Sequence, residues 1–202
     1  SKTSLKTCSS VSLLTLVIFL LLALGNQLSH AGSVSHSYVD YDGDEYHLNL
    51  IMHINAPSSK VWQHLTNYNQ LSKVNELVTH SEILQASNTT TRVKVISEGC
   101  VLFFCRMITQ VQDIRDLGQG YLVISEVEGQ SDFSSGYTLW HVIARPQGSQ
   151  VTIRARLEPD FWIPPFIGPW LFQNKLLEQG EALINKLETL TSVGACLNGN
   201  DQ

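Results

Sequence analysis

The final stretch of the chain places the tightest constraint on its fold. Phe172, Leu176, Leu177, Leu183, Ile184, Leu187 and Leu190 recur at three- and four-residue spacing over about five helical turns. A stripe of that kind predicts a long terminal helix that must bury one face. Gly180 lies on the stripe and would let a partner surface come close, at some cost in helix propensity. Pro164 and Pro165 fix the helix entry, where a missing N–H does no harm. The residues just upstream supply a surface to match. In Gln150–Glu158, Val151, Ile153, Ala155 and Leu157 point one way, while Thr152, Arg154, Arg156 and Glu158 point the other. One dry face and one wet face is the pattern of an antiparallel sheet covered on a single side.

Several more strands precede this one. Tyr46, Leu48, Leu50, Met52 and Ile54 alternate with His47, Asn49 and His53, and Pro57 stops that strand. Ser58-Ser59 can cap a short helix whose apolar face is Val61, Trp62 and Leu65, closed by Asn67-Tyr68-Asn69. A second short helix or turn through Leu71 and Val74 follows. Strands are then expected near Val78–Leu84, over Arg92–Glu98 and over Arg106–Arg115 with Met107, Thr109 and Val111. Further strands are expected over Tyr121–Glu128, Phe133–Ala144 and Gln150–Glu158, with turn signals between them. The prediction is an α+β domain over residues 46–191: a curved antiparallel sheet of about seven strands wrapped on the terminal helix, with two short helices after the first strand. Residues 32–45 are small, polar and acidic and read as a flexible lead-in, and 192–202 as a disordered tail.

The N-terminal 31 residues stand apart. Lys2 and Lys6 form a basic start, Val11 to Leu24 is apolar and uncharged, and Ser29-His30-Ala31 offers small residues for cleavage. An apolar run of 14 residues falls short of the roughly 20 that span a bilayer. The expectation is a secretory signal cleaved near Ala31 and an exported, periplasmic or secreted domain, with an uncleaved membrane anchor as the alternative. Without that segment the chain keeps 11 of its 13 Lys and Arg and all 18 Asp and Glu, a formal charge of −7. An acidic chain without a basic cluster excludes nucleic acid as a partner class.

Cys100 and Cys105 bracket Val101-Leu102-Phe103-Phe104. In one continuous strand they would sit roughly 16 Å apart on opposite faces, from a rise of about 3.3 Å per residue. Across a hairpin end, with the chain reversing near Gly99, they could bridge. Export to an oxidising compartment favours the disulfide.

The order strand, two short helices, six strands, long helix resembles the START-like helix-grip fold, the SRPBCC superfamily. Ala56-Pro57, Val61-Trp62 and Leu65-Thr66-Asn67-Tyr68 resemble the opening of its bacterial polyketide-cyclase-like and coenzyme-Q-binding-like members, with Asn67 where an aspartate is usual. Phe161-Trp162-Ile163-Pro164-Pro165 and Gly168-Pro169 are similar to the same group at the start of the last helix. The resemblance covers roughly residues 46–190. It implies an elongated apolar cavity between sheet and helix, open at one end, in a superfamily that includes lipid carriers, cyclases and pure binding modules.

Candidate lining or mouth residues for such a cavity are Phe103, Phe104, Met107, Tyr121, Tyr137, Trp140, Phe166, Trp170, Asn174 and Leu177. The apolar Val101–Phe104 loop reads either as a cavity rim or membrane-touching tip, or as core tucked under the first helices. Trp162, Phe166 and Trp170 read either as a mouth or as the anchor of the helix. Chemistry has little to stand on. The seven histidines have no metal spacing, and there is no G-x-S-x-G elbow and no phosphate-cradling glycine loop. Asp113, Asp116, Glu126 and Glu128 sit near turns and read as solvated charges. No catalytic residue, metal or cofactor is expected. The expected function is a non-enzymatic carrier of a hydrophobic small molecule, lipid- or quinone-like, with transient membrane-surface contact. One alternative is a cyclase or dehydratase acting on an apolar polyketide-like substrate through His141 or Glu126. Another is a protein-interaction module.

Overall fold

A computed structural model describes residues 31–101, 104–163 and 168–198. Its eight strands form one antiparallel sheet: β1 (Ser33–Asp42), β2 (Glu45–Ile54), β3 (Val78–Ala86), β4 (Thr91–Val101), β5 (Phe104–Gly118), β6 (Tyr121–Glu126), β7 (Phe133–Arg145) and β8 (Gly148–Pro159). The spatial order is β1-β2-β8-β7-β6-β5-β4-β3. Helix α1 (Ser58–Leu65) and a short 3₁₀ helix (Tyr68–Lys73) follow β2, and helix α2 (Gly168–Asn198) ends the chain. The curved sheet gripping a long terminal helix, with two short helices after β2, is the predicted α+β architecture.

Three boundaries differ from expectation. The sheet has eight strands rather than about seven, because the supposed flexible lead-in is β1, paired along its length with β2. β1 is an edge strand with only Val34, Ser37 and Val39 partly buried, so its composition is polar and its pattern faint. The chain reverses between Val101 and Phe104, and Gly99 lies inside β4 opposite Arg106. α2 runs on to Asn198, beyond the expected start of a tail at 192.

Direct cross-strand partners share a face, which sorts the side chains. Leu50 pairs Ile153, Ile153 pairs Trp140, and Trp140 pairs Leu122. Leu50 faces α2: a Cβ on Gly180 would stand 3.3 Å from its Cδ2 and 3.1 Å from Val34 Cγ2. The missing side chain at Gly180 therefore sets how closely helix and sheet approach. Even residues of β2, β6 and β7 and odd residues of β8 thus form the inner face.

The core is built in two adjoining parts. Leu50, Met52, Ile54, Val61, Val151, Ile184 and Leu187 pack under α2 and α1, with Trp140 and Ile153 partly buried beside them. Val78, Val93, Val95, Ile114 and Leu122 form the second part, capped by Trp62, Tyr68 and Leu71 from α1 and the 3₁₀ helix. Trp62 and Trp140 touch both. α2 approaches β1 and β2 most closely and also meets α1. Glu188 fastens it there, its Oε1 accepting from the backbone N–H of Gly32 (2.8 Å) and Asn55 (2.7 Å). Gln173 adds a second tie, donating from Nε2 to the carbonyl of Ser37 at 2.9 Å.

Candidate functional site

On the inner face of β2 and β5–β8, side chains remain half-buried, most of them beyond the strands on which α2 packs most closely. Leu48, Ile124, Thr138, Trp140 and Ile153 are each only partly covered. Into this apolar wall β5 and β6 set a polar patch. Gln110 pairs Val95, Gln112 pairs Val93 and Glu126 pairs Gln112, so all three lie on the side of the buried valines. Glu126 Oε1 accepts from Gln110 Nε2 and from Gln112 Nε2, both at 2.7 Å. Its Oε2 lies 2.8 Å from Ser131 Oγ, whose one hydroxyl hydrogen is shared between this oxygen and the Val111 carbonyl at 3.0 Å.

Ser131 is placed by the backbone, since its Oγ accepts from the N–H of Val111 at 2.9 Å. The segment after β6 continues alongside β5: Val127 N–H donates to the Val111 carbonyl, and Asp132 N–H to that of Thr109. Gly136 makes room on the other side, because a Cβ there would overlap Glu126 Cγ.

The expectation of a solvated charge at Glu126 is corrected by this patch, in which Gln110 and Gln112 hold the carboxylate on the inner face. Met107, Thr109 and Val111, the residues singled out in this strand from the sequence, are not its inner set. The register instead turns Ile108, Gln110, Gln112 and Ile114 inward, opposite Ser97, Val95, Val93 and Thr91. The available signal was a pair of glutamines interrupting an isoleucine stripe of period two.

Of the candidate lining residues, Trp140 is on the inner face. Met107, Tyr121 and Tyr137 are not, which is a second correction. Tyr121 pairs His141 and stacks on it with ring centroids 3.8 Å apart, on the side away from α2. Tyr137 pairs Arg156 on the same outer side and is 46% exposed. Met107 pairs Glu98 there and is 60% exposed. The cause is parity: Leu122, Trp140 and Val142 are even-numbered and inward, so their odd-numbered neighbours face out. His141 is outward for the same reason. Asn174, Leu177 and Trp170 lie on exposed parts of α2, Trp170 being 65% exposed. Phe103 and Phe166 lie outside the described residues, as does the side chain of Phe104.

Cys100 and Cys105 pair directly across β4 and β5 and are joined by a disulfide, their Cα atoms 3.9 Å apart. Asp113 is an outer-face structural acid: Arg92 donates to both its oxygens at 2.7 Å, and that hydrogen bonding holds its carboxyl below the usual range. Among the described residues no cluster of His, Cys, Asp and Glu could hold a metal. A shallow groove of about 620 Å³ opens on the outer face, among His47, Asn49, Tyr137, Arg154 and Arg156. Its open shape and charged rim suit an apolar guest poorly, so the half-covered inner face is the better candidate site.

A sheet that grips one long helix while leaving part of its inner face half-covered defines a START-like, helix-grip protein. Residues 54–182 match the family described as polyketide cyclase / dehydrase and lipid transport, and the chain belongs to that family. No curated protein matches the sequence. Three solved structures show the shared fold. A START superfamily protein from Mycobacterium smegmatis has a TM-score of 0.59 at 13% identity, covering 74% of this chain and 100% of its own. An aromatase/cyclase from a Streptomyces species gives 0.58 at 12%, covering 73% and 94%. A STAR-related lipid transfer protein from Xanthomonas axonopodis gives 0.56 at 17%, covering 80% and 99%.

Proposed function

We propose that this protein is an exported, non-enzymatic carrier that holds a hydrophobic small molecule, lipid- or quinone-like, between the inner face of the sheet and α2. The observation that carries the reading is the half-buried wall of Leu48, Ile124, Trp140 and Ile153 beside a helix that packs mainly on β1 and β2. Apolar surface left to water costs about 25 cal/mol per Å² relative to covering it, so such a wall favours a guest. The membership of a family described by both cyclisation and lipid transport supports the same reading. Export is supported by the Cys100–Cys105 disulfide, which suits an oxidising compartment. No helix among the described residues is long and apolar enough to cross a membrane. The test is mass spectrometry of small molecules that co-purify with residues 32–202, together with uptake of a neutral apolar fluorophore by the delipidated protein. Absence of both a co-purified apolar compound and fluorophore uptake would end the carrier reading.

A second reading has one observation in its favour. Glu126 is an ionisable group on the inner face, as an acid–base cyclase or dehydratase would require. His141, its companion candidate, is on the outer face. Under this reading Glu126→Gln would abolish turnover of an apolar polyketide-like substrate and leave its binding intact.

A further inference from the structure

The inner-face carboxylate has no cation to balance it. Among the described residues no Lys, Arg or His side chain lies within ion-pair distance of Glu126. Arg106, further along the inner face of β5, is engaged elsewhere. Its guanidinium lies over the Phe161 ring, 4.6 Å from the centroid, and its Nη2 is 3.6 Å from Asp132 Oδ1. Glu126 is held instead by three neutral donors, from Gln110, Gln112 and Ser131.

The hydrogen-bonding capacity of this group is not exhausted. An ionised carboxylate accepts about four hydrogen bonds, so three donors leave one acceptor position open. Each glutamine amide gives one N–H to Glu126 and keeps a second N–H and a carbonyl oxygen that no described residue engages. Ile108, Ile114 and Ile124 surround the patch on the same face. A polar spot inside an apolar wall fixes the orientation of a guest more than it adds to affinity.

The sign of the charge then selects the polar end. A hydroxyl can donate to the open carboxylate position or a glutamine oxygen and accept from a glutamine N–H. A ligand carboxylate or phosphate would set a second negative charge beside Glu126 with no described cation between them, and like charges at close range in a partly dry site repel strongly. We infer that the protein discriminates among apolar guests by their heads, taking those that end in a hydroxyl and rejecting those that end in an anion, with Glu126, Gln110 and Gln112 receiving the head. The inference rests on the carrier reading and narrows it to alcohols and phenols.

The experiment compares dodecanol with dodecanoate in displacing the neutral fluorophore N-phenyl-naphthylamine from the delipidated full domain. The expected result is displacement by dodecanol at a concentration lower by about tenfold or more, a factor equal to about 1.4 kcal/mol. Glu126→Gln, which keeps shape and removes charge, is expected to bring the ratio below about threefold. Equal displacement by the two compounds, preference for dodecanoate, or an unchanged ratio in Glu126→Gln would overturn the inference. Fluorophore uptake without head preference removes the selectivity alone. No uptake at all removes the carrier reading and the selectivity with it. Should Glu126→Gln not fold, Glu126→Ala gives the same comparison, and an unchanged ratio there overturns the inference.

Discussion

Glu126 lies over Gly136, and the space it occupies exists because residue 136 has no side chain. A Cβ at that position would overlap Glu126 Cγ and stand 3.1 Å from Leu157 Cδ2. Gly136→Val should therefore displace the carboxylate from Gln110 and Gln112 and destabilise the domain by about 1–3 kcal/mol, the usual cost of overpacking. Urea denaturation reads the loss. An unchanged midpoint would show that the side chain of Glu126 has free room elsewhere.

Two leucines of α2 separate packing from exposure. Leu187 is wholly buried between helix and sheet, whereas Leu177 is 39% exposed. Leu187→Ala should cost about 2–5 kcal/mol, the range for a large-to-small change in a core. Leu177→Ala should cost less than about 1 kcal/mol, in keeping with a position away from the core. Equal losses in thermal or chemical unfolding would contradict the packing of α2 on β1 and β2.

Glu188 ties three parts of the chain together. Removing its side chain in Glu188→Ala leaves the N–H groups of Gly32 and Asn55 without their acceptor. The expected cost is about 1–3 kcal/mol. Hydrogen exchange should accelerate at those two amides more than at the β7–β8 ladder. Uniform acceleration across the sheet would mean that the tie is not local.

Tyr68, the first residue of the 3₁₀ helix, packs against the second part of the core. Burial first, and then the Asp116 carboxylate, push its hydroxyl up to about 12 from an ordinary 10.0. The folded value is above the unfolded one, so the contribution to stability is complete below pH 10 and is lost as pH rises from 10 towards 12. Ultraviolet titration should show tyrosine ionisation extending late, with buried Tyr46 also raised, and Tyr68→Phe should remove the phase near pH 12. A Tyr68 that ionises near pH 10 would refute the placement.

What could be read from the sequence follows from how one-sided each element is. β8 carries apolar residues at one parity and β2 departs from it only at Ile51, so their inward faces were plain, and the stripe of α2 announced a helix without help from context. β5 carries apolar residues at both parities, Met107 and Val111 outward, Ile108 and Ile114 inward. Its facing was settled by pairing with β4, which local pattern does not encode. Tyr121 and Tyr137 were misplaced for a related reason: aromatic residues favour strands on either face. β1 was hidden by its edge position. The polar patch needed the register of three strands before Gln110, Gln112 and Glu126 could be seen as neighbours.

The cystine at the far end of the β4–β5 hairpin has a consequence for those glutamines. Sliding β5 past β4 by a single residue would invert every side chain of β5, sending Gln110 and Gln112 out to solvent and bringing Thr109 and Val111 in. Because Cys100 and Cys105 stand directly opposite one another, their covalent link permits only the native alignment. Oxidation of two residues far from the carboxylate thus works as an indexing pin, and the polarity of the inner wall is decided at the hairpin tip.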